Sequence, residues 1–143
     1  MYLLYTSITG NTTSFVNQLY DSLKKESIPV EKFFVDDTTL EEGITKPFVV
    51  IVPTYLEGGN GVDNGDEEIL TETLGDVIDY GDNASYGIGV IGSGNKNFGY
   101  QYCLTAKKYA KEFNIEYLGD YELRGDNNDI KRFTEKIKEK YNG

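Results

Sequence analysis

The chain has 143 residues, 38% of them apolar and 27% charged, which fits one domain with a single core, expected over residues 1–143, and is too apolar for general disorder. The longest apolar block, Phe48-Val49-Val50-Ile51-Val52, falls far short of the roughly 18 residues that cross a bilayer, and no secretory pattern opens the chain, so a cytoplasmic protein is expected. One cysteine (Cys103), no histidine and a net charge of −10 exclude an internal disulfide, a multi-cysteine zinc site, histidine-ligated metal sites and histidine-dependent triads, and argue against nucleic acid or an anionic membrane as partner.

Leu3-Leu4-Tyr5 predicts a buried strand that runs into Thr6-Ser7 and a Gly10-Asn11 breaker. Phe15, Val16, Leu19 and Leu23 then recur at helical spacing, with Thr12 and Thr13 placed as N-terminal caps and Pro29 as the stop. Val30 to Val35 predicts a second strand, and Phe48 to Val52 a third, stopped by Pro53. The stretch from Leu56 to Gly65 carries four glycines and cannot be a stable helix interior or strand. Ile69, Leu70, Leu74, Val77 and Ile78 mark an amphipathic helix over Asp66 to Tyr80 with an acidic outer face. Tyr86 to Gly92 predicts a fourth strand, followed by the loop Ser93-Gly94-Asn95-Lys96-Asn97-Phe98-Gly99. Tyr102, Cys103, Ala106, Tyr109, Ala110 and Phe113 set the next helix. Ile115 to Leu123 reads as a fifth strand, interrupted near Gly119-Asp120, and Ile130, Phe133, Ile137 and Tyr141 as a closing helix. Strict alternation of this kind predicts an α/β fold: a parallel sheet with helices on both faces.

The loops rich in Gly, Asn, Ser and Thr each follow a strand end, which in such a sheet gathers them at one edge. The first, Ser7-Ile8-Thr9-Gly10-Asn11-Thr12, offers three hydroxyls, an amide and a helix start to one small volume, a cradle for a phosphate dianion. It holds no Lys or Arg, which excludes a Walker P-loop. An ordinary capped helix start is the plainer alternative. Tyr55 and Phe98, on the second and third loops, suit stacking on a planar ring, or else pack under their own loops. A phosphate cradle beside two aromatic loops describes a site for flavin mononucleotide (FMN). Cys103 has no resolving partner and reads as a small buried residue rather than a redox group. Charge is uneven: residues 47–95 carry nine acids and no base, either a solvated face or a docking surface for a basic partner.

At Tyr5-Thr6-Ser7-Ile8-Thr9-Gly10-Asn11-Thr12, Pro53-Thr54-Tyr55-Leu56-Glu57-Gly58-Gly59 and Gly89-Val90-Ile91-Gly92-Ser93-Gly94-Asn95-Lys96-Asn97-Phe98-Gly99, with a weaker match at Tyr121-Glu122-Leu123-Arg124-Gly125, the chain resembles the NrdI family. The last of the three main segments is the most specific. The resemblance implies a flavodoxin-like fold, five parallel strands in the order 2-1-3-4-5. It implies an accessory redox flavoprotein with noncovalent FMN, serving the small, radical-bearing subunit of a class Ib ribonucleotide reductase. Reduced flavin and molecular oxygen would yield a superoxide- or peroxide-level oxidant for radical assembly there, a flavin-reducing protein supplying electrons. Carried over by position, Ser7, Ile8, Thr9, Gly10, Asn11 and Thr12 would hold the phosphate. Pro53, Thr54, Tyr55 and Leu56, with Ser93, Gly94, Asn95, Asn97, Phe98 and Gly99, would flank the ring. Gly58 and Gly59 would lie near its reactive nitrogen. The loop Glu57 to Asp66 departs from many relatives in its length and acidity.

Three rival readings share parts of this pattern. A general flavodoxin electron carrier has the same cofactor but no need of the glycine-rich second loop. A response-regulator receiver needs clustered acids after the first strand, where this chain has Thr6-Ser7-Ile8-Thr9. A cofactor-free interaction module leaves the three polar loops without a purpose.

Overall fold

Successive residues of the first strand enter opposite cores: Leu3 and Tyr5 on one face of the sheet, Leu4 on the other. The same two-residue period sorts Val49 and Ile51 from Val50 and Val52, and Ile91 from Val90. The computed structural model describes residues 1–6, 10–36, 43–53, 73–94, 104–122 and 125–142. Among these, the strands are β1 (Tyr2–Tyr5), β2 (Glu31–Phe34), β3 (Phe48–Pro53), β4 (Gly87–Gly94) and β5 (Tyr117–Glu122). The helices are α1 (Asn11–Lys25), α2 (73–79), α3 (Leu104–Phe113) and α4 (Asn127–Asn142). All strand pairs are parallel and the order is β2-β1-β3-β4-β5, as the sequence predicts. Among the described residues no helix is long and apolar enough to cross a membrane.

Two apolar layers hold the sheet. Phe15, Val16, Leu19 and Leu23 of α1 and Phe133 and Ile137 of α4 cover one face. Leu74, Val77 and Ile78 of α2 and Ala106 and Tyr109 of α3 cover the other. Strands buried on both sides read as continuous apolar runs, which is why Phe48 to Val52 is legible without alternation. Asn83, buried in the 3-10 turn Asn83–Tyr86, ties the second layer together: it accepts from the Ile44 N–H at 2.6 Å and donates to the Val77 carbonyl at 2.7 Å.

Several ends differ from the sequence reading, each for a local reason. The cap of α1 is neither Thr12 nor Thr13 but Gly10, at φ 89°. Thr12 is buried within the first turn. Pro29 does not stop this helix. Ser27 does, at φ 62°, its N–H bonding to the Lys24 carbonyl at 3.0 Å while the Ile28 N–H reaches back to the Leu23 carbonyl at 3.1 Å. That is a Schellman turn, and Ile28 and Leu23 are both buried in the same core, as the motif requires. β4 begins one residue later than expected and runs through Ser93 and Gly94, which the sequence reading assigned to a loop. β5 is not broken at Gly119-Asp120: its register slips by one, Val90 pairing with Tyr117 and Ile91 with Gly119, so Leu118 bulges and the strand continues. The expected helix over 66–80 is described from residue 73, and that around Tyr102 and Cys103 from residue 104; the rest of both lies outside the described residues.

The bulge at Leu118 depends on a small neighbour. A Cβ on Gly89 would stand 2.6 Å from the Leu118 Cγ and closer still to its Cδ1, so the whole buried side chain would have to move. Gly89→Ala is expected to cost about 1–3 kcal/mol, read as a shift of the denaturant midpoint. Ser27→Gly has the opposite sign. Removing the left-handed strain returns about 1–2 kcal/mol, of which glycine's extra entropy loss consumes about 0.5–1. The same titration is expected to show a net gain of about 0.5–1 kcal/mol.

Candidate functional site

Parallel pairing carries the C-terminal ends of β1, β3, β4 and β5 to one edge of the sheet. β2 lies on one side of β1 and β3 on the other, so the chain reverses its direction across the sheet between them. Such a switch point opens a crevice in which α/β sheets bind ligands. The register lines up the walls: Tyr5 stands beside Ile51, Pro53 beside Ser93, and Gly94 beside Glu122.

The helix that starts at this crevice is α1. Its cap, Gly10, has a left-handed backbone that a side chain would strain, and it supplies no side-chain cap bond. The Gly10 carbonyl accepts the first intrahelical bond, from the Ser14 N–H at 2.9 Å. N–H groups of a first helical turn have no acceptor inside their own helix, and the helix dipole adds about half a positive charge there. No acid lies in that turn to compete with an anion. A Cβ built on Gly10 would meet no atom of the described residues within 4 Å, so among them open space adjoins the helix start.

Two features at the end of β1 were not singled out in the sequence. Thr6, directly after β1, is completely buried, and its Oγ1 has no hydrogen-bond partner among the described residues. An unpaired buried hydroxyl costs about 1–3 kcal/mol. The one available signal was a polar residue closing an apolar run. Tyr5 is also buried, and burial pushes its phenol above the usual tyrosine range, so it serves as a neutral aromatic. Its ring meets Phe34 edge-on at 5.2 Å, and Phe34, at the C-terminal end of β2, is 44% exposed at the same edge.

Of the residues the sequence singles out, Gly10, Asn11 and Thr12 form the start of α1, and Pro53, Ser93 and Gly94 end β3 and β4 side by side. Ser93 is buried. Ser7, Ile8, Thr9, Thr54, Tyr55, Leu56, Gly58, Gly59, Asn95, Asn97, Phe98, Gly99 and Cys103 lie outside the described residues. The described half of the site fits a phosphate: a helix start with no acid in its first turn and open space beside it. A cleft of about 710 Å³ at the opposite edge, lined by Ile88, Ile115, Tyr117, Lys136 and Lys140 among others, fits a ligand less well. There Lys136 already donates to the Leu118 carbonyl at 2.6 Å and Lys140 to Glu116 at 2.7 Å.

Comparison with known proteins bears on the family and the fold. A family model described as NrdI flavodoxin-like matches residues 3–135. A NrdI-like protein of Streptococcus pneumoniae serotype 4 is 50% identical over 146 aligned positions, covering 97% of this chain and 93% of its own. The protein NrdI of Bartonella tribocorum is 34% identical, over 88% of this chain and 84% of its own. Among solved structures, a short-chain flavodoxin associated with a non-canonical PDU bacterial microcompartment superposes with a TM-score of 0.70 at 22% identity, covering 94% of this chain and 90% of that one. That last likeness speaks for the fold alone. On the family model and the identities together, the chain belongs to the NrdI flavodoxin-like family.

Proposed function

We propose that this chain is an FMN flavoprotein that activates the small, radical-bearing subunit of a class Ib ribonucleotide reductase. The observation that carries this reading is the family match over residues 3–135, laid on a sheet whose switch point meets the start of α1. When bound, FMN supplies the electrons that convert molecular oxygen to a superoxide- or peroxide-level oxidant for radical assembly. A flavin-reducing protein replenishes them.

The protein's own groups bind and orient. The start of α1, with Ser7, Ile8, Thr9, Gly10, Asn11 and Thr12, holds the terminal phosphate through N–H groups and hydroxyls, which need no cation. Thr54, Tyr55, Asn95, Asn97 and Phe98 flank the ring, the aromatics by stacking and the amides at its polar edge. Gly58 and Gly59 belong to the run Gly58-Gly59-Asn60-Gly61, which can adopt backbone conformations closed to other residues and leave one ring face open to a docked partner. One phosphate cradle, with no second glycine-rich dinucleotide turn, favours FMN over FAD.

A general flavodoxin electron carrier is the second reading, favoured by the fold likeness to a flavodoxin. The two part on the glycine run. Gly59→Val is expected to keep FMN, because the phosphate loop is untouched, while radical formation falls sharply. The test mixes reduced protein, manganese-loaded small subunit and oxygen, and reads the radical by electron paramagnetic resonance. No radical from the unmodified protein, together with efficient transfer to unrelated acceptors, leaves the carrier. Flavin released by heat and run on a column is expected to be FMN, and FAD there would overturn the cofactor assignment.

A further inference from the structure

We propose that the outer edge of β2 is the contact between two copies of this chain, β2 pairing antiparallel with β2 of the second copy about a two-fold axis at Phe34. The sheet has two lateral edges, β5 and β2. Along β5, side chains of α4 already occupy backbone carbonyls: Lys136 donates to that of Leu118 at 2.6 Å and Arg132 to that of Asp120 at 2.8 Å. Beyond β2 no described strand pairs. Glu31 and Val35 turn their N–H groups inward, to the Met1 and Tyr5 carbonyls at 2.9 and 2.8 Å. By the two-residue period of a strand, Lys32 and Phe34 between them turn their backbone groups outward. An outward lysine is a common guard of such an edge. Here Lys32 lies back on α1, its Nζ donating to the Asn17 Oδ1 at 2.9 Å and standing 4.9 Å from the centre of the Tyr20 ring. Phe34 is 44% exposed, with Tyr80 the most exposed large apolar side chain among the described residues.

The order of residues along the edge names the occupant. Lys32-Phe33-Phe34-Val35-Asp36 runs from a base through three apolar residues to an acid. Reversed and laid against itself with Phe34 opposite Phe34, it sets Lys32 of each copy across from Asp36 of the other, and Phe33 across from Val35. The outward groups then meet: Phe34 with Phe34 and Lys32 with Asp36 form the hydrogen-bonded pairs of an antiparallel ladder. A contact about a two-fold axis must be complementary to itself, and this edge is. Other registers are not. Centred on Phe33, the ladder sets Lys32 across from Phe34 and leaves the charges unmatched. Centred on Lys32, it sets two ammonium groups face to face, which destabilises a strand pair. Because the two strands run in opposite directions, the two crevices open at opposite ends of the joined sheet, and the contact needs no bound cofactor. An edge this short falls below the roughly 1,200 Å² of standard stable complexes, so the dimer forms and separates with concentration.

The test is sedimentation equilibrium of the purified full chain and its variants, each also melted to check its fold. Between about 10 µM and about 1 mM, the average mass of the unmodified protein is expected to rise toward that of two chains. Phe34→Glu, which places two carboxylates at the axis, is expected to weaken association about tenfold or more. Lys32→Glu and Asp36→Lys, each alone, set like charges across the ladder and are expected to weaken it as well. Mixed in equal amounts, these two variants are expected to associate as well as the unmodified protein, because every acid then faces a base across the axis. Should Phe34→Glu melt early, the mixture decides alone. A mass that stays at one chain throughout, association left within twofold by Phe34→Glu, or a mixture no stronger than its components would overturn the assignment.

Discussion

Everything at the site edge depends on where α1 begins, and one aromatic residue fixes that. Phe15, one turn into the helix, stacks on Tyr121 of β5 with ring centroids 3.7 Å apart and planes within 18°. It meets Phe133 of α4 edge-on at 5.9 Å. A helix held so near its first turn cannot swing its N-terminus away from the sheet without breaking a buried aromatic cluster, and aromatic pairs add about 0.5–1.5 kcal/mol each beyond their area. The far end is fixed as well. The Schellman turn at Ser27 delivers Ile28 into the same core as Leu23. Both ends of the dipole are thus anchored by packing, and the start that faces the crevice is left to glycine.

That arrangement puts a division of labour along each strand. The middles of β1, β3 and β4 are apolar on both faces, so the sheet is held by burial. Their C-terminal ends turn polar or small: Thr6, Pro53, Ser93 and Gly94. Thr6 and Ser93 are nevertheless buried, so polarity there does not come from exposure to water. A buried polar group at a strand end is stable only with a partner, whether another part of the chain or a ligand. The edge is therefore the place where the fold gives up some stability for chemistry.

How much of this was legible in the sequence follows from what each signal measures. The five apolar runs and the helical spacing of Phe15-Leu19-Leu23 and Ile130-Phe133-Ile137 report burial, and burial on two faces is what builds this sheet; strand order and helix faces came through. Ends are set by single hydrogen bonds and backbone angles, which hydrophobic patterning does not report. Pro29 was a plausible stop, but Ser27 reached a left-handed angle first. Thr12 and Thr13 were plausible caps, but Gly10 allowed the tighter turn. Asn83 carried no pattern at all: its two bonds join residues 39 and 6 positions away, and only the folded chain brings them together. Thr6 was hidden for the same reason, since an unused hydroxyl is a property of surroundings. The loop residues that the family resemblance names at 54–59 and 95–99 lie outside the described residues.

The uneven charge can now be divided by place. On α4, Arg132, Lys138 and Lys140 pair with Asp129, Glu26 and Glu116, so part of the basic C-terminal half is answered locally. Such exposed pairs contribute little to stability, but they do cancel field. The acids of the central stretch that are described, Asp76, Asp79 and Asp82, are exposed to solvent. They lie on α2 and on the turn that leads into the start of β4, which is the edge opposite the crevice. At about 0.1 M salt, charges more than about 10 Å away are largely screened. These three therefore act as a solvated face and do little to a group bound at the other edge. The described acids at the crevice edge include Asp36, two residues beyond β2, and Glu122, the last residue of β5. Their sign is fixed: a nearby carboxylate disfavours each further negative charge placed on a bound ring. The nine acids of residues 47–95 are thus not one feature: the three described ones lie toward the edge away from the crevice.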